Sequence, residues 1–120
     1  MKHANTQPES WLPLKTNVLF ILLALAGGQK HGYAIMQETH ETSEGLVRLG
    51  PGTLYGTLQR LIERGLIEET GKPSAVDQDD ERRRYYRLTS TGNEVITAEV
   101  RRLEQLVKAA RTRSLIPRLG

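Results

Sequence analysis

The chain has 120 residues, room for one compact domain or a smaller domain with a helical arm, and too little for two domains. It has no cysteine, which excludes disulfides and thiolate chemistry, and its formal charge of +3 permits a polyanionic partner without demanding one. The longest apolar run, Val18 to Ala26, is well short of the roughly twenty residues that cross a bilayer, and the polar start MKHANTQPES is no secretory signal, so a cytoplasmic protein with no membrane partner is expected.

Residues 1–13 read as an N-terminal arm, because the first ten are polar and include Pro8. Trp11 is the chain's one tryptophan and either anchors that arm or lines a pocket. A helix is predicted from about Leu14 to Ala26, apolar around nearly its whole circumference and stopped by Gly27 and Gly28. A second helix, from near His31 to about Glu44, carries Tyr33, Ala34, Ile35 and Met36 on its apolar side and Glu38, Glu41 and Glu44 on a solvated one. The stretch Gly45 to Gly50 is too short for a helix and predicts a brief strand or an extended connection.

From Pro51 to Gly65, Leu54, Leu58, Leu61 and Ile62 recur at helical spacing and define a core-facing side. Pro51 presets the first turn, and Gly65 ends the helix. The other side carries Thr53, Tyr55, Gly56, Gln59 and Arg60, groups suited to phosphates and base edges; the bland alternative is an ordinary solvated face. Leu66 to Thr70 and Arg83 to Leu88 read as the two strands of a hairpin, joined by a long polar tip that mixes acids and bases. Pro51 to Leu88 holds 7 Lys/Arg and 7 Asp/Glu, so local pairing hides part of its positive charge. A last helix is predicted from near Thr91 to near Ser114. Its residues Ile96, Val100, Leu103, Val107 and Ala110 follow the alternating steps of a coiled-coil seam, and residues 115–120 form a tail.

Three helices followed by a hairpin, with the third helix exposing a polar face, describe a winged helix-turn-helix. The fold class is mainly α with a small β-hairpin (α+β), comprising a winged-helix domain at 14–88 and a C-terminal dimerisation helix at 89–114. Candidate DNA contacts are Thr53, Tyr55, Gln59 and Arg60 on the third helix and Arg83 and Arg84 on the hairpin. His31 and Tyr33 join them because the amides opening the second helix can receive a phosphate oxygen, although a purely structural role for this turn stays open. The seam Ile96, Val100, Leu103, Val107 and Ala110 either packs back on its own domain or pairs with a second copy, and both can hold together.

Three blocks, HGYAIMQ at His31 to Gln37, GTLYGTLQRLIERGLIEE at Gly52 to Glu69 and RRYYRLTSTG at Arg83 to Gly92, resemble the PadR-like transcriptional regulators in sequence and order. The resemblance covers about Leu14 to Arg113. It implies a dimeric, usually repressing, winged-helix protein whose single C-terminal helix joins the subunits, acting on double-stranded DNA at an inverted repeat. It also implies that a small aromatic effector between the subunits is a possible partner, as in some members of the family. Two features depart from the family pattern. Gly50 stands where many relatives have a hydroxylic cap, and the acidic tip Asp77 to Glu81 is less favourable to DNA than a basic or glycine-rich one.

No arrangement supports catalysis, and no cofactor or metal is expected. His3, His31 and His40 do not converge in the sequence, and the acids from Asp77 to Glu81 lack the glycine and terminal glutamate of a calcium loop. The competing reading is a winged helix that binds protein and not DNA, which the balanced charge of the middle segment leaves open.

Overall fold

Thr16–Ala26 (α1) is the element against which the others pack. Ile21, Leu22, Ala24 and Leu25 are buried, and Val18, Leu19 and Phe20 join the core from its flanks. Only Leu23 among its large residues is appreciably exposed. Its last turn is closed by Lys30, whose Nζ donates to the Ala24 carbonyl at 2.9 Å, a cation placed at the negative end of the helix. The structure, a computed structural model, describes residues 7–71 and 84–117. The acidic tip Asp77 to Glu81 and Arg83 therefore lie outside the described residues.

After α1 come strand β1 (Lys30–His31), helix α2 (Gly32–Thr42), helix α3 (Pro51–Glu63), strands β2 (Ile67–Thr70) and β3 (Tyr85–Leu88), and the long helix α4 (Ser90–Thr112). Residues 43–50 form a turn followed by a connection without a strand, and it still contributes Val47 and Leu49 to the core. α2 ends two residues earlier than expected. Glu44 has φ of 54° and lies in the turn beyond it, so only Glu38 and Glu41 of the three acids are on the helix.

The expected hairpin is a three-stranded antiparallel sheet in the order β1-β3-β2. Lys30 and His31 pair with Tyr86 and Tyr85, and on the other side β3 pairs with β2 from Ile67↔Leu88 to Thr70↔Tyr85. β3 is thus the central strand. Tyr85 and Tyr86, which point to opposite faces, are both buried: Tyr86 enters the core, and Tyr85 meets the edge of the His31 ring.

The root of α4 is clipped to the turn that ends α3. Thr89 caps α4 by accepting from the Gly92 N–H at 3.0 Å, and its own hydroxyl donates to the Gly65 carbonyl at 2.6 Å. The Thr89 N–H donates to the Leu66 carbonyl at 3.1 Å. Gly92 lies so close to that carbonyl that a Cβ there would run into its oxygen, with the carbonyl carbon at 2.9 Å. Only glycine permits this approach of two backbones.

Composition argues for a loose arm over the first ten residues, yet Pro8–Trp11 forms one turn of 3-10 helix against α4. Three residues after that turn the chain is tied to Glu99, a fully buried carboxylate on α4. It accepts from the Leu14 N–H at 3.0 Å and from the Arg102 guanidinium at 2.6 and 3.1 Å. A buried charge is tolerated only when paired in this way, and here the pairing ties the chain entering α1 to α4.

The hydrogen bonds from Arg102, and secondarily from Leu14, hold the Glu99 carboxyl below its ordinary value of 4.5, against a burial effect that opposes them. A depressed folded-state value means stability that is present above the ordinary carboxylate range and lost as pH falls through the folded value. Glu99→Gln is therefore expected to unfold at lower denaturant concentration than wild type at pH 7. The gap should close as the pH is lowered below about 4.5; a gap independent of pH would contradict the assigned role.

Candidate nucleic-acid interface

α3 has one wet side and one dry side because its leucines recur every three or four residues. Leu54, Leu58 and Leu61 are buried, and so is Thr57. Pro51 opens the helix, and Gly50 contributes its carbonyl to the Leu54 N–H at 2.9 Å with no side-chain cap. Thr53, Tyr55, Gln59 and Arg60 are all exposed. They spread over a wide exposed side, because at about 100° per residue Tyr55 and Gln59 stand roughly 130° around the helix from Thr53 and Arg60. Tyr55 and Gln59 lie on the flank toward α2 and the sheet, and Thr53 and Arg60 on the flank toward α1.

On the first flank the Tyr55 ring lies directly over Gly32 at the start of α2. A Cβ at Gly32 would stand 2.7 Å from Cζ of that ring and collide with its hydroxyl. The glycine therefore sets the close approach of α2 and α3, and Tyr55 remains 47% exposed above it. His31 caps α2, with Nδ1 accepting from the Ala34 N–H at 3.2 Å. Its ring stacks near Tyr33 at 6.5 Å and meets Tyr85 edge-on at 5.4 Å. Tyr33 is exposed, and its hydroxyl accepts from the Gln37 amide at 3.3 Å. Tyr86 completes the group: burial first, then the Glu69 carboxylate and the neighbouring Tyr55, push its hydroxyl above the ordinary tyrosine value. All four tyrosines of the chain thus gather with His31 where α2, α3 and the sheet meet. Sequence reasoning singled out Tyr33 and Tyr55 and missed this clustering; the glycine between His31 and Tyr33 was its one visible trace.

The polar groups on this surface have local partners. Gln59 Nε2 is 3.4 Å from Glu63 one turn on, and Arg60 Nη2 donates to the Thr57 hydroxyl at 3.3 Å. Arg84, on the run into β3, has Nε 3.8 Å from Glu69, both side chains being well exposed. Arg87 makes a tighter cross-strand pair with Glu68 at 2.7 Å. Exposed pairs of this kind contribute about 0.2–1 kcal/mol, little enough for a phosphate to replace them.

α4 also divides into two parts. Val95 and Ile96 are buried in the protomer's own core, Ile96 at 3% exposure, so that end of the seam faces α1. Farther along, Val100 and Leu106 are 45% and 53% exposed and Val107 is exposed, while Leu103 and Ala110 are half-buried. Val100 and Ile96 also border a shallow apolar cleft of about 340 Å³ with Leu23 and Ala26 of α1.

Among the described residues, no helix is long and apolar enough to cross a membrane, and no three His, Cys, Asp or Glu side chains are grouped to hold a metal ion.

Three helices, an antiparallel wing and a long terminal helix, with α3 displaying polar groups beside the wing, define a winged helix-turn-helix of the regulator type. The chain belongs to the PadR-like family of transcriptional regulators, whose family model matches residues 21–98. These are DNA-binding regulators and not enzymes. The chain is 37% identical over 90 residues to the transcriptional regulator Rv3488 of Mycobacterium tuberculosis, covering 75% of this chain and 78% of that one. It is also 37% identical over 91 residues to an uncharacterized 37.1 kDa protein in transposon TN4556 of Streptomyces fradiae. That match takes in 73% of this chain, which spans only 23% of the transposon protein's length. A PadR family transcription regulator from Clostridium difficile has the same fold, with TM-score 0.67 and 24% identity over 82% of this chain and 97% of the other.

The contact between Gly32 and Tyr55 predicts energetic coupling between them. Gly32→Ala should destabilise the fold by about 1–3 kcal/mol through overpacking. Combined with Tyr55→Ala it should cost less than the sum of the two single changes, with a coupling of roughly 0.5–3 kcal/mol. Denaturant titration of the four proteins measures this, and simple additivity would rule the contact out.

Proposed function

We propose that the protein is a homodimeric repressor that lays α3 in the major groove of an inverted-repeat operator. In this reading 14–88 is the DNA-binding unit and 89–114 the dimerisation helix. The observation that carries the proposal is the polar side of α3: Thr53, Tyr55, Gln59 and Arg60 stay accessible while the leucines behind them are buried. Thr53 and Gln59 are the base-reading groups, since a short hydroxyl and an amide can both present donors and acceptors to base edges. Tyr55, braced on Gly32, offers its hydroxyl to a phosphate. Arg60 and Arg84 supply sequence-independent phosphate contacts, and Arg83, outside the described residues, belongs with them in the proposal. His31 and Tyr33 present the start of α2 to the backbone on the same side.

The dimer is supported by the apolar stripe of α4 beyond Ile96. Val100, Leu103, Val107 and Ala110 continue at coiled-coil spacing after the helix has passed the core of its own domain. A two-fold pair would set the two α3 helices about one DNA turn apart, ~34–36 Å. An effector held between the subunits would enter beside this stripe.

Two tests follow. In gel-shift titrations against the DNA upstream of its own coding region, binding should weaken steeply with salt, and Gln59→Ala should lower discrimination between operator and mutated operator by about 1–3 kcal/mol. Arg84→Ala should weaken all sequences alike and reduce the salt slope by about 1. No shift at any salt concentration would refute the reading. Separately, Val107→Asp should halve the sedimentation mass by placing an unpaired charge in the seam, and an unchanged mass would remove Val107 from the interface.

A further inference from the structure

We propose that Glu63 is a positioning residue for sequence reading: its carboxylate fixes which way the Gln59 amide faces, and so makes Gln59 a reader of adenine over guanine. The inference rests on the function proposed above, in which the exposed side of α3 lies in the major groove.

Gln59 and Glu63 are one helical turn apart, both are exposed, and Glu63 is the last residue of α3. Gln59 Nε2 donates to Glu63 Oε2 at 3.4 Å. Among the described residues this is the one side-chain partner of either group. A carboxylate ion accepts hydrogen bonds and cannot donate them, so it takes the nitrogen end of the amide and not the oxygen end. Without it the two ends of the amide are nearly alike in shape, and either can turn outward. The contact is longer than a well-formed hydrogen bond, so it biases the amide without locking it.

An acid at this place has two costs. It stands at the carboxyl end of α3, where the helix dipole favours a cation, and beside groups proposed to meet a polyanion. No ion pair offsets either cost among the described residues, and Arg60, the nearest cation before it in the chain, turns to the Thr57 hydroxyl. The contribution left to Glu63 is the orientation of Gln59.

The base preference follows from donor and acceptor patterns. With one Nε2 hydrogen directed at Glu63, Gln59 keeps an acceptor, Oε1, and one further N–H. Adenine offers the matching pair in the major groove, an amino donor at N6 and an acceptor at N7. Guanine offers two acceptors, O6 and N7, so its O6 would face Oε1. Reversing the amide would relieve that clash, but it would set Oε1 against the oxygens of Glu63.

Glu63→Gln tests this with little change of shape, because the new amide can bond Gln59 through either end: the contact stays and its direction is lost. The full chain and its variants select duplexes from a randomised pool, and preferences are measured by gel shift on matched pairs. The position whose preference disappears in Gln59→Ala is the one Gln59 reads. There wild type should favour adenine over guanine, and Glu63→Gln should shrink that ratio roughly two- to tenfold, the worth of one net hydrogen bond. Added to Gln59→Ala, it should change no preference further. No position lost in Gln59→Ala, a wild-type preference for guanine, or an effect of Glu63→Gln that persists without Gln59 overturns the proposal. So does a gain in affinity shared equally by all sequences, which is what loss of a negative charge alone would give. The contact is checked without DNA by NMR: the Gln59 side-chain amide protons should shift in Glu63→Gln, and unmoved resonances overturn it. A chain that selects no DNA defeats the regulator reading and the base preference with it, whereas a chain that selects a site with an unchanged ratio defeats the role of Glu63 alone.

Discussion

Burial of Leu54, Leu58 and Leu61 is the constraint on which the rest of this molecule depends. Each leucine removed from water contributes roughly 1.5–3 kcal/mol, so three on one short helix approach the whole net stability of a small domain. α3 cannot rotate about its axis without exposing them. The orientation of Thr53, Tyr55, Gln59 and Arg60 is thus set by hydrophobic burial behind them and not by any polar contact in front. The remaining freedom, translation along the axis, is limited at both ends. Gly32 receives the Tyr55 ring near the start of the helix, and the Gly65–Leu66 turn is clipped to Thr89 and Gly92 at its end.

The electrostatics of the same surface are organised differently. Glu63, Glu68 and Glu69 stand near Gln59, Arg87 and Arg84 respectively, so these three donors each have an internal acceptor. Distance separates them in strength: the 3.8 Å contact at Arg84 is loose, whereas the 2.7 Å pair at Arg87 has good geometry. Releasing an exposed pair costs less than about 1 kcal/mol. Phosphate contact returns the entropy of a released counterion, which outweighs that cost at low salt and loses its advantage as salt rises. Local acids therefore sharpen salt dependence more than they abolish binding. This explains how a middle segment with equal numbers of acids and bases can still belong to a DNA-binding family.

Most of the architecture was legible from periodicity. All four helices were found within a few residues of their ends, α1 from an unbroken apolar run and α3 and α4 from a clear repeat, and the composition of Leu66 to Thr70 and Arg83 to Leu88 marked the wing. What escaped was whatever depends on contacts between distant residues. β1 is two residues long, too short for any period, and exists only because β3 offers it an open edge. The 3-10 turn at Pro8–Trp11 is polar enough to read as a loose arm, and nothing near it in sequence announces Glu99, 85 residues from Leu14. At the site, spacing put Arg60 on the wet side of α3, about 140° around the helix from Tyr55, but only the structure shows that its guanidinium turns toward Thr57. Spacing also cannot divide α4 at Val100: Ile96 and Val107 both lie on the seam, and the first is buried simply because α1 is there to cover it.

The tie between Leu14 and Glu99 links these parts in a way a surface contact could not. Glu99 lies on the stretch of α4 that follows the core residues Val95 and Ile96 and precedes the exposed stripe. Were the Leu14 N–H absent, the carboxylate would keep Arg102, itself partly exposed, and lose its donor on the other side. An incompletely satisfied buried charge costs more than the same charge in water, so the helix would favour arrangements that let water reach Glu99. Such arrangements loosen α4 from the entry to α1 and, with it, Trp11 from the flank of α3. The segment before α1 thus behaves as a structural member shared by α4 and α3, although its composition is that of a tail.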